Sequence, residues 1–232
     1  MPSLLIVFLI LAADAPQSFD LRINDLWKAR DLQDRATLQR LASETTATAE
    51  KHAEPEYQYK AALAQSALAE VATELRDKVQ ARAAAEAGMK SAERAVSLKP
   101  DNAEYHRILG TLCGQAAAAT GGLGALKHGR CALEEVNRAL DLQPKSAMNR
   151  LSHGVGNYYL PPALGGGVEL AIRDFQQAAE LDSKSAEAHL WLGVALRKMN
   201  RNAEARKELE RAVQLNPARI WAKQQLEKTP PN

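Results

Sequence analysis

Apolar residues recur with a helical period along this chain, in paired segments that short polar turns separate. The clearest pair lies between Ala186 and Pro217. Its first segment places four residues on one helix face, at spacings of i, i+3, i+4 and i+7: His189, Leu192, Gly193 and Leu196. The segment Asn200 to Asn202 suits a turn and a helix N-cap. Pro217 ends the second segment because proline cannot continue a helix. The stretch therefore predicts a helix–turn–helix unit.

The second helix of this unit presents Ala205, Leu209 and Ala212 on one face. Neither helix can bury its apolar stripe alone, so neighbouring copies must stack. Three looser pairs precede it: 57–75 with 79–98, 103–119 with 125–142, and 147–159 with 168–181. The predicted fold is all-α, an α–α superhelix (a solenoid) of about four to five helix–turn–helix repeats. A short helix at 220–227 is expected to cap its last apolar face.

Proline-rich boundaries divide the chain into four predicted regions. Residues 1–15 form a signal peptide or N-terminal anchor, 20–55 a degenerate first repeat, 56–217 the repeats, and 218–232 a capping helix and tail. Within the first repeat, the run Ser43 to Thr48 is expected to fray because Ser and Thr are poor helix formers. The glycine-rich stretches 120–124 and 160–167 are predicted as loops inside repeats.

Composition and motifs argue against several classes of function. Thirty basic residues face 28 acidic ones, so the basic stripe that nucleic-acid binding requires is not expected. The sequence has no phosphate loop, no HExxH and no GxSxG motif. His106 and His189 occupy equivalent places in two repeats and are interpreted as partly buried packing residues. We therefore predict no catalytic residue, no cofactor and no metal ligand.

The N-terminus indicates export. Leu4 to Ala13 form an apolar run that is short for a membrane span but fits a signal-peptide core, and Ala13-Asp14-Ala15 offers a cleavage site. We expect an exported protein, periplasmic or secreted. If residues 1–15 are not cleaved, they would be its membrane contact, and the chain would be anchored or cytoplasmic. No cysteine directly follows the run, which excludes a lipoprotein anchor.

The two cysteines belong to the two helices of one repeat. Cys113 lies in the predicted helix 103–119 and Cys131 in the predicted helix 125–142, so the thiols can approach each other. Two reduced, buried thiols are the expectation. A disulfide is the alternative if the chain is exported, because disulfides persist in oxidising compartments.

The unit at 186–217 resembles the tetratricopeptide repeat, a 34-residue helix–turn–helix. Five residues fall on its signature positions: Leu192, Gly193, Ala205, Ala212 and Pro217. His189 and Leu209 replace the more usual aromatics. In that family the first helices line a concave surface that binds extended peptides or helices.

The resemblance assigns a concave surface to particular positions of each unit. The predicted contact residues are Arg107, Leu151, Val155, Tyr158, Tyr159, Leu190, Val194, Arg197 and Lys198. An apolar and aromatic centre flanked by basic groups suits a desolvated contact with an orienting charge. The expected function is a non-enzymatic scaffold that binds a protein or peptide. The alternative for this patch is that the loop 160–167 folds over it and makes it part of the core.

A narrower resemblance rests on the export signal, the degenerate first unit and the segment Tyr159–Gly167. These features are similar to the periplasmic T-component proteins of tripartite solute (TRAP) transporters, and to the regulators of microtubule dynamics with their bacterial relatives. The first group implies the alternative function, a small-molecule carrier or solute-transport accessory. Its binding site would be a pocket under the 160–167 loop.

Overall fold

The computed structural model describes residues 17–231, with side chains from Ile23 onward, so the predicted signal segment 1–15 lies outside the described residues. The described chain forms eleven α-helices. They are α1 Gln17–Asp31, α2 Arg35–Lys51, α3 Pro55–Glu74, α4 Lys78–Leu98, α5 Ala103–Ala119, α6 Gly122–Leu142, α7 Ala147–Tyr159, α8 Val168–Leu181, α9 Ala186–Lys198, α10 Asn202–Leu215 and α11 Ile220–Glu227. A 3₁₀ turn, Pro162–Leu164, lies between α7 and α8.

Consecutive helices pack as five hairpins, α1–α2, α3–α4, α5–α6, α7–α8 and α9–α10, and α11 packs on the last of them. The first helices of successive hairpins also touch, from α1 to α3 and onward to α9, which builds the superhelix. The predicted all-α superhelix with a C-terminal capping helix is confirmed.

Local sequence explains where these helices begin and turn. Five helices start at a residue whose side chain accepts a hydrogen bond from the backbone of the first turn: Asp34, Asp77, Asn102, Ser146 and Ser185. Three tight turns within hairpins use a left-handed residue: Gln33, Arg76 and Asn200, with φ of 53°, 63° and 59°. In each, the next amide donates to a carbonyl five residues back, for example Arg201 to Leu196 at 3.0 Å. The same turn is therefore repeated in the first, second and fifth hairpins.

Glycine sets the spacing of three hairpins. Gly110, Gly154 and Gly193 each stand eighth in the first helix of their hairpin. A Cβ added there would lie 2.6 Å from a side chain of the second helix, on Val136, Phe175 and Leu209 respectively. Because only glycine permits this approach, the large residue of the second helix can fill the space between the helices.

A polar contact between a basic and an acidic side chain accompanies each close approach. The residue before the large side chain is acidic, and it faces the fourth residue of the first helix. The pairs are His106 Nδ1 with Glu135 Oε2 at 2.6 Å, Arg150 Nη1 with Asp174 Oδ1 at 3.4 Å, and His189 Nδ1 with Glu208 Oε2 at 2.6 Å. His106 also places its Nε2 2.9 Å from the carbonyl of Pro100. Both histidines thus lie between the helices of their hairpins, as the packing interpretation predicts.

Two predictions about local structure were wrong. The run Ser43 to Thr48 is helical, because the Thr45 hydroxyl donates to the Leu41 carbonyl at 2.7 Å and the Thr45 side chain is buried. The helix α6 begins at Gly122 rather than after the glycine cluster, and the left-handed φ of 57° at Gly122 forms its start.

The expectation of two reduced thiols was also wrong. Cys113 and Cys131 form a disulfide that joins α5 to α6, with their Cα atoms 5.9 Å apart. The Cys113 side chain is fully buried beside Ala116 and Ala132. The bond therefore connects the two helices of the third hairpin inside the core.

The two ends of the superhelix meet. Asn216, in the turn after α10, donates from Nδ2 to Asp31 Oδ2 of α1 at 2.8 Å. Gln224 of α11 reaches Gln33 in the first turn at 3.3 Å. Between them, Arg219 extends into the inner face and is 1% exposed. The C-terminal cap thus closes the solenoid against its first two hairpins.

Candidate functional site

Four of the nine predicted contact residues are buried by the chain itself: Arg107, Leu151, Leu190 and Val194. The guanidinium of Arg107 pairs with Glu104, with Nε 2.6 Å from Oε2. Leu190 and Val194 pack with Ala222 of the capping helix. Leu151 packs instead with Phe175 of α8, so all four residues belong to the internal packing of the described chain, and the cap covers only Leu190 and Val194.

A fifth residue is engaged by the C-terminal segment. Arg197 donates from Nη2 to Gln225 Oε1 at 2.6 Å and from Nη1 to the Gln225 carbonyl at 2.9 Å. Thr229 adds a further contact at 3.3 Å. The basic group that the sequence assigns to ligand orientation therefore holds the cap in place.

The remaining four residues keep access to solvent. Tyr159 is 55% exposed and Lys198 is exposed, while Val155 and Tyr158 are half-buried. The Nζ atom of Lys198 lies 4.2 Å from the centre of the Tyr158 ring, within the range of a cation–π contact. These side chains come from the ends of α7 and α9, which lie next to each other in the superhelix.

Two tryptophans extend this surface. Trp191 lies 5.7 Å from Tyr158 and 6.2 Å from Tyr159 between ring centres, and Trp221 lies 5.1 Å from Trp191. We call Tyr158, Tyr159, Trp191 and Trp221 the aromatic patch. Sequence analysis missed both tryptophans, because Trp191 stands outside the concave positions of the repeat and Trp221 belongs to the cap. Their size and spacing from the two tyrosines were the available signals.

An acidic cluster adjoins the patch. We define it as Asp31, Glu70, Glu74 and Glu187, which surround Arg219. The Arg219 guanidinium lies 2.6 Å from Glu70, 2.5 Å from Glu74, 3.0 Å from Glu187 and 3.8 Å from Asp31. Arg30 adds a second cation, 3.1 Å from Glu187. Four carboxyl groups thus face two guanidinium groups, an excess of two negative charges if all ionise.

The pKa values show how this charge is accommodated. Burial raises the pKa of Glu74 to about 7, although Arg219 opposes the shift. Burial also raises the pKa of Glu70. Burial would raise the pKa of Glu187 as well, but Arg30 and Arg219 outweigh it and hold that pKa below its ordinary value. Part of the excess negative charge is therefore removed by protonation near neutral pH.

The patch and the cluster are neighbours. Arg219 lies 5.6 Å from the centre of the Trp221 ring. Although more than half of the Tyr159 side chain is in water, desolvation of its hydroxyl, together with the charges of Tyr158, Glu74 and Glu70, raises the pKa of that hydroxyl to about 12. That hydroxyl therefore stays protonated at neutral pH. The arrangement is a partly exposed aromatic surface with Lys198 at its edge and a cluster of paired charges beside it.

A separate cleft lies under the 160–167 loop. Its volume is about 320 Å³. The lining residues are Leu133, Asn137, His153, Asn157, Leu160, Leu164, Gly165, Leu170, Arg173 and Asp174. We call it the loop cleft. It shares no residue with the aromatic patch, and Phe175 is buried against Gly154 instead of lining it.

Residues 17–231 contain neither a membrane-spanning helix nor a metal-binding cluster. Within that span no helix combines the length and apolar character that crossing a bilayer requires. The same residues bring no three His, Cys, Asp or Glu side chains together in a way that could hold a metal ion.

The stacked helical hairpins, with glycine at the eighth place of the first helix, define a tetratricopeptide-repeat protein. A tetratricopeptide-repeat family model matches residues 186–219. The family model described as regulator of microtubule dynamics protein 1-3 matches residues 22–160, more than half of the chain. The chain therefore belongs to the regulator of microtubule dynamics protein 1-3 family. No curated protein matches the sequence.

One solved structure supports the fold. A thermophilic tetratricopeptide-repeat protein of Thermus thermophilus, TTC0263, is similar with a TM-score of 0.61 and 17% identity, over 87% of this chain and 98% of that one. YrrB, described as a tetratricopeptide-repeat protein with an unusual peptide-binding site, has a TM-score of 0.44 and 18% identity, over 91% of this chain and 98% of that one. At these identities, the likeness to TTC0263 shows the fold alone.

Proposed function

We propose that this protein is a non-enzymatic scaffold that binds a protein or peptide through the aromatic patch, with Val155 and Lys198 at its edge. One observation carries the proposal: Tyr159 leaves 55% of its surface exposed although it stands against Tyr158 and Trp191. Tyr and Trp that cluster at a partly exposed surface are typical of the energetically dominant residues of an interface. The tetratricopeptide fold is itself typical of interaction scaffolds.

The proposed partner contacts only part of the inner face. The cap covers Leu190 and Val194, and Arg219 fills the space between the first and last hairpins. A bound segment would therefore place a large apolar side chain on Tyr159 and Trp191. An acidic group of the partner near Lys198 would orient it. No cofactor, metal or nucleic acid enters this proposal.

Partner recovery from source-cell extract tests the site. The full chain, a Tyr159→Ala variant and a Val79→Ala variant would each be used as bait, and the recovered proteins quantified by mass spectrometry. Val79 is the control because it is 83% exposed and belongs to α4, which contributes no residue to the patch. We expect one protein to be recovered stoichiometrically with the wild type and with Val79→Ala, and to be lost with Tyr159→Ala. Equal recovery with all three baits would contradict the assignment.

Export to an oxidising compartment is a further part of the proposal. It is supported by the apolar run Leu4 to Ala13 in the sequence, and by the disulfide between Cys113 and Cys131, a bond that is rare in the cytosol. Intact mass measurement of the native protein tests both features. We expect a chain that starts after Ala15 and does not react with a thiol reagent until it is reduced. A full-length chain with two free thiols would contradict export.

The second candidate function is a small-molecule carrier or solute-transport accessory. The loop cleft favours it, because this cavity lies under the loop that the sequence links to such proteins. Native mass spectrometry of the purified full chain separates the two candidates. A retained small mass with no protein partner would support the carrier.

A further inference from the structure

We propose that the loop cleft is a binding site for a small monocarboxylate that carries a short apolar group. The site is independent of the proposed protein-binding surface, since the two share no residue. The inference deepens the second candidate function by naming the class of ligand.

The cleft presents a cation that no other described side chain engages. Arg173 of α8 lines the cleft and is exposed, and it makes no hydrogen bond or ion pair with another described residue. Its planar guanidinium can donate two parallel hydrogen bonds to a carboxylate. Asn137 of α6, also exposed, faces the same cavity from the neighbouring hairpin and can donate from its amide.

The single acidic residue of the cleft is already satisfied by the protein. Asp174 accepts at Oδ2 from the Asn157 amide at 2.8 Å and contacts His153 Nδ1 at 2.8 Å. Its Oδ1 atom accepts from Arg150 at 3.4 Å. Asp174 is 7% exposed, so its charge is neither accessible nor unpaired. The cleft therefore does not offer a carboxylate to a cationic ligand.

The same contacts orient His153. Because Nδ1 points to Asp174, the other ring nitrogen, Nε2, is left without a protein partner on a side chain that lines the cleft. In a neutral ring that donates from Nδ1, Nε2 is an acceptor, so His153 is not counted among the donors. Two donors, the Arg173 guanidinium and the Asn137 amide, belong to one cavity. This is the chemistry that a carboxylate requires.

Leucines supply the apolar side of the cleft. Leu133, Leu160, Leu164 and Leu170 line it, and Leu164 and Leu170 remain 54% and 36% exposed. A ligand with a short apolar group would remove part of this surface from water. A volume of about 320 Å³ accommodates roughly ten non-hydrogen atoms, taking about 30 Å³ for each as for a water molecule.

The loop that roofs the cleft is held in place by the backbone. The amide of Gly167 donates to the Asn157 carbonyl at 2.9 Å, which ties the end of the loop to α7. Gly165 ends the 3₁₀ turn with a φ of 88°, a conformation that glycine adopts without strain. The roof is thus preformed, so a ligand need not order it.

Titration of the full chain with phenylacetate tests the proposal, with isothermal calorimetry and ligand-observed NMR as readouts. Phenylacetate has roughly ten non-hydrogen atoms, and a weak affinity, with a Kd on the order of 1 mM, is expected for a ligand of that size. Phenylacetamide keeps the shape without the charge, and phenethylamine reverses the charge. Both should bind at least about fivefold more weakly, since a charge-assisted hydrogen bond is lost.

Two variants locate the site. Arg173→Gln should weaken phenylacetate binding about fivefold, since the lost pair is partly exposed to solvent. Arg94→Gln is the matched control: Arg94 is exposed on α4 and its side chain has no described partner. Leu164→Ser should weaken binding through the apolar contact while leaving the charge unchanged. Tyr159→Ala should leave phenylacetate binding unchanged, so failure of this site and failure of the protein-binding surface are distinguishable.

Three outcomes would overturn the proposal. The first is no saturable binding of phenylacetate by the wild type. The second is equal affinity for phenylacetate and phenylacetamide. The third is unchanged affinity in Arg173→Gln.

Discussion

The acidic cluster and the aromatic patch lie side by side on the inner face of the superhelix, yet they differ in what they leave unsatisfied. Arg219 is 1% exposed and has carboxyl partners on α1, α3 and α9. Tyr159, a neighbour on the same face, keeps more than half of its surface in water. The polar groups of the cluster pair with Arg219, whereas the patch leaves apolar surface in contact with water.

We therefore expect the cluster to contribute to stability and the patch to the proposed partner binding. The cluster joins the turn before α11 to α1 and α3. Its loss should therefore lower the free energy of unfolding. The patch is built from the end of α7 together with Trp191 of α9 and Trp221 of α11, and Tyr159 in it is exposed, so its loss should weaken the proposed partner binding. The following predictions test that division, from the largest expected effect on the free energy of unfolding to the smallest.

Replacing Arg219 should have the largest effect. Arg219→Met removes the central cation and leaves Glu70 and Glu74 buried without it, which we expect to cost about 3–5 kcal/mol of the free energy of unfolding. Urea denaturation followed by circular dichroism measures the change. Arg211→Met is the control, because Arg211 is exposed on α10 with no described side-chain partner. Equal unfolding midpoints for the two variants would contradict a structural role for the cluster.

The second largest effect should come from Gly154, which sets the spacing between α7 and α8. Gly154→Ala would bring a Cβ to 2.6 Å from the Phe175 ring, and we expect it to cost about 1–3 kcal/mol through overpacking. Gly156→Ala lies in the same helix with no neighbour within 4 Å, and should stabilise the protein by about 0.5–1 kcal/mol. Thermal unfolding of the two variants gives the comparison. If the two substitutions shifted the melting temperature in the same direction, the close approach of α7 and α8 would be contradicted.

The cluster should also make stability depend on pH. In the folded chain the pKa of Glu74 is raised from 4.5 to about 7, so the folded state binds this proton more tightly than the unfolded state. The stability that this tighter proton binding provides is therefore complete below the unfolded pKa of Glu74. It is lost as pH rises through about 7, the folded pKa. We expect the free energy of unfolding to fall by about 1–2 kcal/mol between about pH 5.5 and pH 8.

Glu74→Gln is the control for this pH dependence, because glutamine does not titrate. The variant should show a flatter profile over the same range, and the slope that is left should come from Glu70, whose pKa burial also raises. An identical profile in the wild type and Glu74→Gln would show that another group is responsible.

Tyr159→Ala should have the smallest effect on stability. Because the ring is half in water, we expect a loss of about 0.5 kcal/mol in urea denaturation. The same variant should lose partner recovery, as proposed above. A cost of several kcal/mol would mean that Tyr159 belongs to the core and would remove the distinction between patch and cluster.

The fold was readable from the sequence because it depends on local spacing. Gly193, Leu209 and Pro217 stand at fixed distances in one unit, and a helical period requires only neighbouring residues. The same reasoning placed His106 and His189 between the helices of their hairpins. It failed at Ser43 to Thr48, where packing overrides the weak helix propensity of threonine.

The candidate site was only partly predictable, because the closure of the superhelix is a long-range property. Tyr158 and Tyr159 were found from their repeat positions, but nothing near Arg219 in sequence indicates partners 145 and 149 residues away. For the same reason Leu190 and Val194 were expected on an open surface, and the cap buries them. The resemblance assigned positions within a repeat, whereas the contact between the first and last hairpins belongs to no repeat.

The central claim is that Arg219 closes the superhelix by binding α3. A double-mutant cycle tests it most directly: the free energy of unfolding is measured by urea denaturation for the wild type, Arg219→Met, Glu74→Gln and the double variant. If the contact exists, the double variant should be destabilised by about 2 kcal/mol less than the sum of the single variants. Additivity within about 0.5 kcal/mol would show that the two residues do not interact, and would contradict the closed inner face.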